Sequence, residues 1–324
     1  FALDGFFNMA VPANTIQNVS RVGVREDLDD KIAELFPDDT PFQKAIGRSK
    51  ASNTYTEWQT DGLAAANEAN AAIQGDDLAN SSRANTVRVG THTQIFTKVI
   101  GASTTVEWTN KAGRRSELAR EIMKAGREIR TDMEKRFVGN YASVAAAAGV
   151  AGLTAGAQAW ITTNDSRGVG GADGGFSAGI VAAATNGTQR AYTEALLKTV
   201  MQLCWAAGGN PSMVITNGTQ KQTAAAFAGI AAQRRETGNK KATIIAGADI
   251  YVSDFGDVQF VPDRFADARS ALVVDPEYWD IAIGDPLHQD ELAKTGLATR
   301  KALVTEVALR SLNQAASGIV ADLT

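Results

Sequence analysis

The sequence has little of what most enzymes use for catalysis. Its 324 residues include one cysteine and two histidines. His92 lies in a strand-like segment and His288 in a predicted loop near Asp290. Neither histidine lies near a serine-containing nucleophile elbow, so the sequence does not support a Ser/His/Asp catalytic triad. No zinc-type spacing, paired CxxC or Gly-x-x-x-x-Gly-Lys phosphate loop occurs. We therefore predict no enzyme activity, no catalytic, cofactor-binding or metal-binding residues, and no cofactor.

Other absences exclude further classes of protein. With Cys204 as the single cysteine, an internal disulfide framework is excluded. Cys204 lies beside Trp205 in a helical pattern and is predicted to be a buried side chain that packs as a small hydrophobic residue. No run approaches the ~18 apolar residues of a membrane span, so no membrane contact is expected. A net charge of −4 and a pI of about 5.4 argue against a dedicated nucleic-acid binder. Residues 1–8 do not form a signal peptide, and Met9 is more typical of a natural start.

A few segments could carry chemistry but have simpler explanations. The glycine-rich run 168–175 fits neither a phosphate cradle nor a calcium loop and is predicted to be a flexible surface loop. Three pairs of neighbouring aspartates lie at helix starts or turns, where aspartate is favoured for capping. They are Asp29/Asp30, Asp38/Asp39 and Asp76/Asp77. The basic residues of 233–241 are predicted to be a solvated loop.

The most informative segment is a long hairpin that cannot bury itself. Residues 87–99 alternate β-branched residues with others, which predicts one extended strand of ~43 Å. Residues 53–59 offer it an antiparallel partner. Between them, 59–86 has few large apolar residues, so the hairpin has no local core. Because a two-stranded hairpin is marginal alone in water, this arm is expected to need other strands or chains.

A long helix follows the arm. Residues 114–148 carry one apolar stripe, which predicts a helix of ~52 Å with a charged opposite face. The face is expected to carry i,i+4 pairs such as Lys124/Glu128, Arg130/Glu134 and Asp132/Arg136. The stripe does not follow a strict heptad, so a helix laid across a sheet is favoured over a coiled coil.

The remaining pattern mixes helices and strands without regular alternation. Helices are predicted at 26–36, 42–46, 192–207 and from Asn217 or Thr219 to about 229. Strands are predicted at 212–216, 250–253, 258–261, 271–274, 279–283 and 301–312. The segments 47–53 and 149–188 are predicted to be a polar joint and irregular loops around Leu153, Trp160 and Ile161. This order predicts an α+β fold.

The sequence resembles the major capsid (head) protein of tailed bacteriophages, which has the Hong Kong 97-type fold. The resemblance rests on several short segments in a shared order between Met9 and Thr324. They are Gly23–Leu28, Asp39–Phe42 with Ile46-Gly47, Thr54–Asp61, Tyr251–Gly256 and Asn313–Gly318.

The resemblance implies a layout of five parts. These are an N-terminal arm at 1–50, an E-loop hairpin at 51–100, a P-domain with the spine helix at 101–190, an A-domain at 191–290, and a strand returning to the P-domain at 291–324. It also implies a structural subunit of an icosahedral phage capsid.

The implied partners are copies of the chain in hexamers and pentamers, a portal, and packaged double-stranded DNA without sequence-specific binding. Scaffolding and decoration proteins are left open. The expected location is the virion capsid after synthesis in the bacterial host cytoplasm.

The resemblance also bears on cross-linking. In the phage that names the fold, an E-loop lysine attacks an asparagine of a neighbouring subunit. Here no lysine lies between Lys50 and Lys98, and Lys98 is expected to sit on a wet face far from the arm tip. We therefore predict shells without isopeptide bonds.

Two alternatives stay open from the sequence. The first is the shell protein of an encapsulin-like cellular nanocompartment, which has the same architecture; neighbouring genes would separate it from a phage protein. The second is a soluble α+β enzyme with an unfamiliar site, which particle size in solution would exclude.

Overall fold

The computed structural model describes residues 37–75, 77, 80, 81, 83–110, 113, 115–227, 250–294 and 296–324. Helices α1 to α6 are Pro41–Ala45, Thr104–Trp108, Glu117–Val138, Ala157–Trp160, Glu194–Ala206 and Gly218–Ala225. Strands β1 to β7 are Gly47–Lys50, Tyr55–Thr60, Val87–His92, Gln94–Ser103, Asp165–Ser166, Gly175–Ser177 and Ile180–Ala182. Strands β8 to β14 are Met213–Thr216, Ile250–Ser253, Gly256–Pro262, Ser270–Val274, Trp279–Glu291, Ala298–Ser311 and Gly318–Ala321. The predicted helix at 26–36 and the basic loop at 233–241 lie outside the described residues.

A four-stranded sheet forms one half of the fold, in the order β1-β12-β13-β4. Strands β12 and β13 pair antiparallel from Trp279↔Ser311 to Glu291↔Lys301, so β12 is longer than the predicted 279–283. Strand β1 pairs parallel to β12, so the first four residues of the predicted polar joint at 47–53 form a strand. The pattern of 47–50 is too polar and too short to predict a strand, and only the free edge of β12 makes it one.

Helix α3 packs on this sheet and is shorter than predicted. Ser116 caps its start by accepting a hydrogen bond from the Ala119 N–H, and the helix ends at Gly139. Its 22 residues span about 33 Å rather than ~52 Å. Beyond the helix, Arg136 donates to the carbonyls of Thr154 and Ala142 at 2.7 Å each. These bonds turn the chain back on itself.

A glycine makes the turn after α3 possible. A Cβ on Gly156 would lie 2.0 Å from the Gly139 carbonyl oxygen, so the two backbones can meet only because residue 156 has no side chain. The Gly156 N–H donates to the Tyr141 carbonyl at 2.9 Å. Tyr141 and Val144 extend the apolar stripe of the sequence, but this close contact places them outside the helix.

A six-stranded mixed sheet forms the other half, in the order β5-β14-β11-β8-β10-β9. Helix α5 packs on it through Leu197, Val200 and Cys204, all fully buried. The predicted helix at 192–207 and the strands at 212–216, 250–253, 258–261 and 271–274 are present within one to three residues. Asn217 caps α6, as one of the two predicted candidates, by accepting from the N–H groups of Thr219 and Gln220.

The connection between the two halves is partly ordered by short elements. Residues 149–188 contain α4 and the small hairpin β6–β7 instead of loops alone. Trp160 and Ile161 are buried as predicted, and Leu153 pairs with Val144 in an isolated bridge. Helices and strands are mixed as expected, and the α+β class is confirmed.

Candidate assembly surfaces

The predicted hairpin arm is present and projects from the four-stranded sheet. Strands β2 and β3 pair antiparallel from Tyr55↔His92 to Thr60↔Val87. In the connection between them, Leu63 is fully exposed and Ile73 is 78% exposed. Among the described residues, these apolar side chains therefore have nothing to pack on, as the sequence predicts.

The predicted single strand 87–99 is interrupted at Thr93. The Thr93 N–H donates to the Thr54 carbonyl at 2.8 Å, and its hydroxyl lies 2.5 Å from Oε1 of Glu306. Strand β3 stays in the arm, whereas β4 joins β13 of the four-stranded sheet. Thr93 is thus the residue at which the chain passes from the arm to the four-stranded sheet. Alternation alone could not reveal it because both strands keep the same period.

The alternation of β4 places its β-branched side outward. Phe96 is buried and makes an edge contact with Phe137 of α3 at a 6.4 Å ring separation. Ile95 and Val99 are 59% and 55% exposed on the opposite face. These two apolar side chains therefore lie exposed on the face of β4 that points away from α3.

The root of the arm is held by an aromatic cluster. The ring of Trp58 lies 5.5 Å from Trp160, which stacks on Phe176 at 6.3 Å. The Arg310 guanidinium lies 5.6 Å from the Trp58 ring, and its Nε donates to Asp280 at 2.7 Å. The expectation that the hairpin has no local core holds for the exposed tip and is wrong for the root.

A second surface feature lies at the end of the four-stranded sheet. Trp108 of α2 is 75% exposed, and Leu297 is 83% exposed. The Leu297 carbonyl accepts a hydrogen bond from the Thr104 N–H at 3.0 Å, which fixes the start of α2 beside the β12–β13 connection. Helix α2 is absent from the sequence predictions. Its Ser103 cap, accepting from Val106 N–H, is the signal that could have revealed it.

The segment that leads into β1 is tied to α3 by a buried carboxylate. Glu134 Oε1 accepts from the Phe42 N–H at 2.7 Å, and Oε2 accepts from the N–H and Nε2 of Gln43 at 3.2 and 2.8 Å. Phe42 is fully buried and makes an edge contact with Trp279. Glu134 is also fully buried, so its predicted place on the charged outer face is wrong.

Glu134 is an unusually weak acid because of this position. Burial raises its pKa to about 7, and the nearby carboxylate of Asp263 adds to the increase. The three hydrogen bonds from Phe42 and Gln43 act in the opposite direction. Because a carboxylate between charged neighbours normally indicates a solvent face, nothing in the sequence distinguishes Glu134.

The histidines and the cysteine lie in separate places. His92 packs on Tyr55 with 4.6 Å between ring centroids, and burial lowers its pKa. His288 lies on strand β12 rather than in a loop. Its pKa is raised by the Pro286 carbonyl and by the carboxylates of Asp285 and Asp290. Cys204 is fully buried as predicted, and burial raises the pKa of its thiol to about 12.

The described aspartates and the glycine run make structural contacts. Asp38 pairs with Arg127, and Asp39 with Lys44; Asp29, Asp30 and Asp76 lie outside the described residues. The start of the glycine run at 168–175 is held by a hydrogen bond, in which the Gly168 N–H donates to the buried Asp322 carboxylate at 3.0 Å.

Within the described ranges, no three His, Cys, Asp or Glu side chains are grouped as metal ligands would be. Among the same residues, every helix is too short or too polar to span a membrane.

Solved phage capsid structures share this fold. A chain of the cyanophage A-1(L) capsid superposes with a TM-score of 0.69 at 12% identity, covering 95% of this chain and 100% of that one. A chain from Mycobacterium phage Ogopogo gives 0.59 at 13% identity, with 95% and 100% coverage. The capsid of a native GTA particle gives 0.59 at 13% identity, with 96% and 100% coverage.

Sequence comparison identifies the family. The major capsid protein of Escherichia phage Phieco32 is 38% identical over 104 residues, which are 32% of this chain and 30% of that protein. The match thus spans less than a third of that relative. The family model described as SU10 major capsid protein matches residues 9–324. These relatives favour a phage shell over a cellular nanocompartment. The chain belongs to the SU10 major capsid protein family and is a structural subunit of a phage capsid with the Hong Kong 97-type fold.

Proposed function

We propose that copies of this chain assemble into hexamers and pentamers, which close into an icosahedral shell around double-stranded DNA. The observation that carries the proposal is the arm of residues 51–92. Its tip leaves Leu63 fully exposed and Ile73 78% exposed, and among the described residues its two strands pair only with each other. An arm of this kind gains stability when it lies on a neighbouring subunit, and such head-to-tail contacts generate closed rings.

The division into two sheets supports the five-part layout expected from the sequence, with two departures, since β12 lies in the four-stranded sheet and β14 in the six-stranded sheet. In this layout, 1–50 is the N-terminal arm, 51–100 the E-loop, 101–190 the P-domain with α3, and 191–290 the A-domain. Residues 291–324 return to the P-domain through β13, and their last strand β14 lies in the six-stranded sheet. The four-stranded sheet that packs against α3 is completed by β1, β12 and β13 from distant parts of the chain.

The other proposed partners are the packaged DNA and the proteins that complete a DNA-filled capsid. The net charge of −4 suits a shell that encloses DNA without gripping it, because the phosphate backbone is itself negative. A portal would occupy one vertex, and scaffolding and decoration proteins are further candidates. The subunit acts without enzyme activity, cofactor or metal, and is synthesised in the cytoplasm of the bacterial host.

Electron microscopy and sedimentation of the purified protein test the proposal. We expect hollow, closed particles of megadalton mass built from six-fold and five-fold units. A protein that stays monomeric at all salt concentrations and under crowding, and that binds no copy of itself, would contradict it. Genes for a portal, a terminase and a protease beside this gene would support a phage shell over a nanocompartment.

A further inference from the structure

His288 on β12 meets a hydrogen-bond acceptor at each of its two ring nitrogens. Its Nδ1 lies 3.0 Å from the Pro286 carbonyl oxygen and 3.4 Å from Oδ2 of Asp285. Its Nε2 lies 3.2 Å from Oδ2 of Asp290. A neutral imidazole carries one N–H, so it must turn a lone pair toward one of these oxygens, whereas the charged ring donates from both nitrogens. The contacts themselves therefore favour the charged form of His288.

The neighbouring strands bring no competing cation to these two aspartates. The charged residues closest in register to this part of β12 are Lys50 opposite Ile283, Glu306 opposite Asp285 and Lys301 opposite Glu291. Lys301 lies 3.6 Å from the Glu291 carboxylate, and the residue opposite His288 is the apolar Val304. Among the described residues, neither Asp285 nor Asp290 forms an ion pair with a lysine or an arginine. A charged His288 is thus their shared counter-charge.

The His288 contacts lie where the backbone ladder of β12 is irregular. The register against β13 shifts twice, between Ile283 and Asp285 and again between Asp285 and His288. Pro286 lies in the same stretch and has no N–H to donate. Strand β1 pairs with 280–283, so 284–291 has β13 as its single strand partner among the described residues. Because a bulge interrupts ladder bonds, side-chain contacts here matter more than in a regular strand.

We propose that charged His288 clasps the irregular stretch 284–291 of β12, and that loss of its proton loosens this stretch. In the neutral ring one nitrogen no longer donates, and Asp285 and Asp290 lose their shared counter-charge. Because β13 alone then holds the stretch, its hydrogen bonds open more often.

The clasp acts on one end of the subunit. The stretch 284–291 leads toward Leu297, whose carbonyl accepts from the Thr104 N–H of α2 at 3.0 Å. This end of the four-stranded sheet exposes Leu297 and Trp108. The clasp would let pH control how firmly that end is held, and this holds for a single subunit whether or not shells form.

The direction of the pH dependence follows from linkage. The Pro286 carbonyl and the carboxylates of Asp285 and Asp290 raise the pKa of His288 above its ordinary value of 6.5. The closed stretch therefore binds the proton more tightly than the open one. The clasp is fully present below pH 6.5, weakens as the pH rises through the raised pKa, and is constant above it.

Exchange of the histidine ring C2 proton, read by mass spectrometry, measures the pKa of His288 in the full chain, in subunits or in particles. The chain has two histidines, far enough apart to lie on separate peptides. We expect a pKa above 6.5 for His288 and below 6.5 for His92, whose pKa is lowered by burial. His92 thus serves as the internal reference.

Amide hydrogen exchange of the same protein tests whether the proton holds the stretch. After correction for the intrinsic exchange rate, protection of 287–291 should fall roughly twofold to fivefold between about pH 6 and pH 8.5, the range for an exposed ion pair. The amide of Val273 in the central strand β11 should change much less. Protection of 287–291 that is constant or rises over this range would overturn the proposal.

Three variants separate the clasp from a general effect of pH. His288→Gln cannot titrate, so the pH dependence of 287–291 should disappear. Asp290→Asn removes the charge that faces Nε2 and should lower the pKa of His288. Asp257→Asn, which changes an exposed acid on β10, should leave that pKa unchanged. A His288 pKa at or below 6.5, equal His288 pKa values in the two aspartate variants, or an unchanged pH dependence in His288→Gln would each contradict the clasp.

Discussion

Lys98 on β4 and Asp132 on α3 form an ion pair, with 2.8 Å between Nζ and Oδ2. Glu128 lies 3.8 Å from the same nitrogen, and the hydrogen bond to Asp132 raises the pKa of Lys98. The expectation that Lys98 merely decorates a wet face is therefore wrong, because its side chain ties β4 to the helix. A protonated, paired ammonium is a poor nucleophile.

From this pair we predict that mature shells contain no isopeptide bonds involving the arm. Residues 51–97 contain no lysine, and arginine remains protonated and cannot replace it. Boiled particles should give a subunit band near 34 kDa in denaturing electrophoresis, in agreement with the chain mass of 34.1 kDa. A ladder of covalent multimers, with a Lys–Asn linked peptide in mass spectrometry, would rule the prediction out.

The second prediction separates the arm from the fold of the subunit. Replacing 62–84 by a short turn keeps β2 and β3 and removes mainly exposed surface, so circular dichroism should show a folded chain. Shell formation should fail in sedimentation. The double variant Leu63→Ala/Ile73→Ala keeps the length of the arm and tests whether its apolar contacts matter. If the shortened chain unfolds, then 62–84 belongs to the subunit core.

The third prediction concerns the root of the arm. Trp58→Ala removes the contacts with Trp160 and the Arg310 guanidinium, and we expect the free energy of unfolding to fall by about 2 kcal/mol. Trp108→Ala is a matched control, because that ring is 75% exposed and its loss should cost no more than about 0.5 kcal/mol. Urea titrations measure both. Equal losses in the two variants would show that Trp58 does not secure the arm.

The fourth prediction concerns the single thiol. Burial raises the pKa of Cys204 to about 12, so almost no thiolate forms at pH 8. A thiol reagent should leave the native protein unlabelled and should label one site per chain after unfolding in guanidinium chloride. The unfolded sample is the control for reagent activity. Rapid stoichiometric labelling of the native chain would mean that Cys204 is accessible.

Sequence patterns predicted the helices and strands that are stabilised by residues close to them in the sequence. The hairpin strands, α5, the Asn217 cap and most strands of the six-stranded sheet follow from periodicity and capping residues close by in the sequence. The end of α3 could not be predicted in this way. The apolar stripe continues through Tyr141, while the contact between Gly139 and Gly156 involves residues 17 positions apart. The break at Thr93 likewise depends on Glu306 in a distant strand.

The sequence by itself determined the fold class, the projecting arm and the capsid family, since these rest on periodicity, on sparse apolar residues in 59–86, and on short segments in a shared order. The tertiary structure decided which charged residues are buried and which are exposed. Glu134 and Lys98 have ordinary neighbours along the chain, and only the packing of α1 and β4 against α3 gives them their partners. Burial and partner choice depend on contacts between distant segments, so a pattern read along the chain cannot specify them.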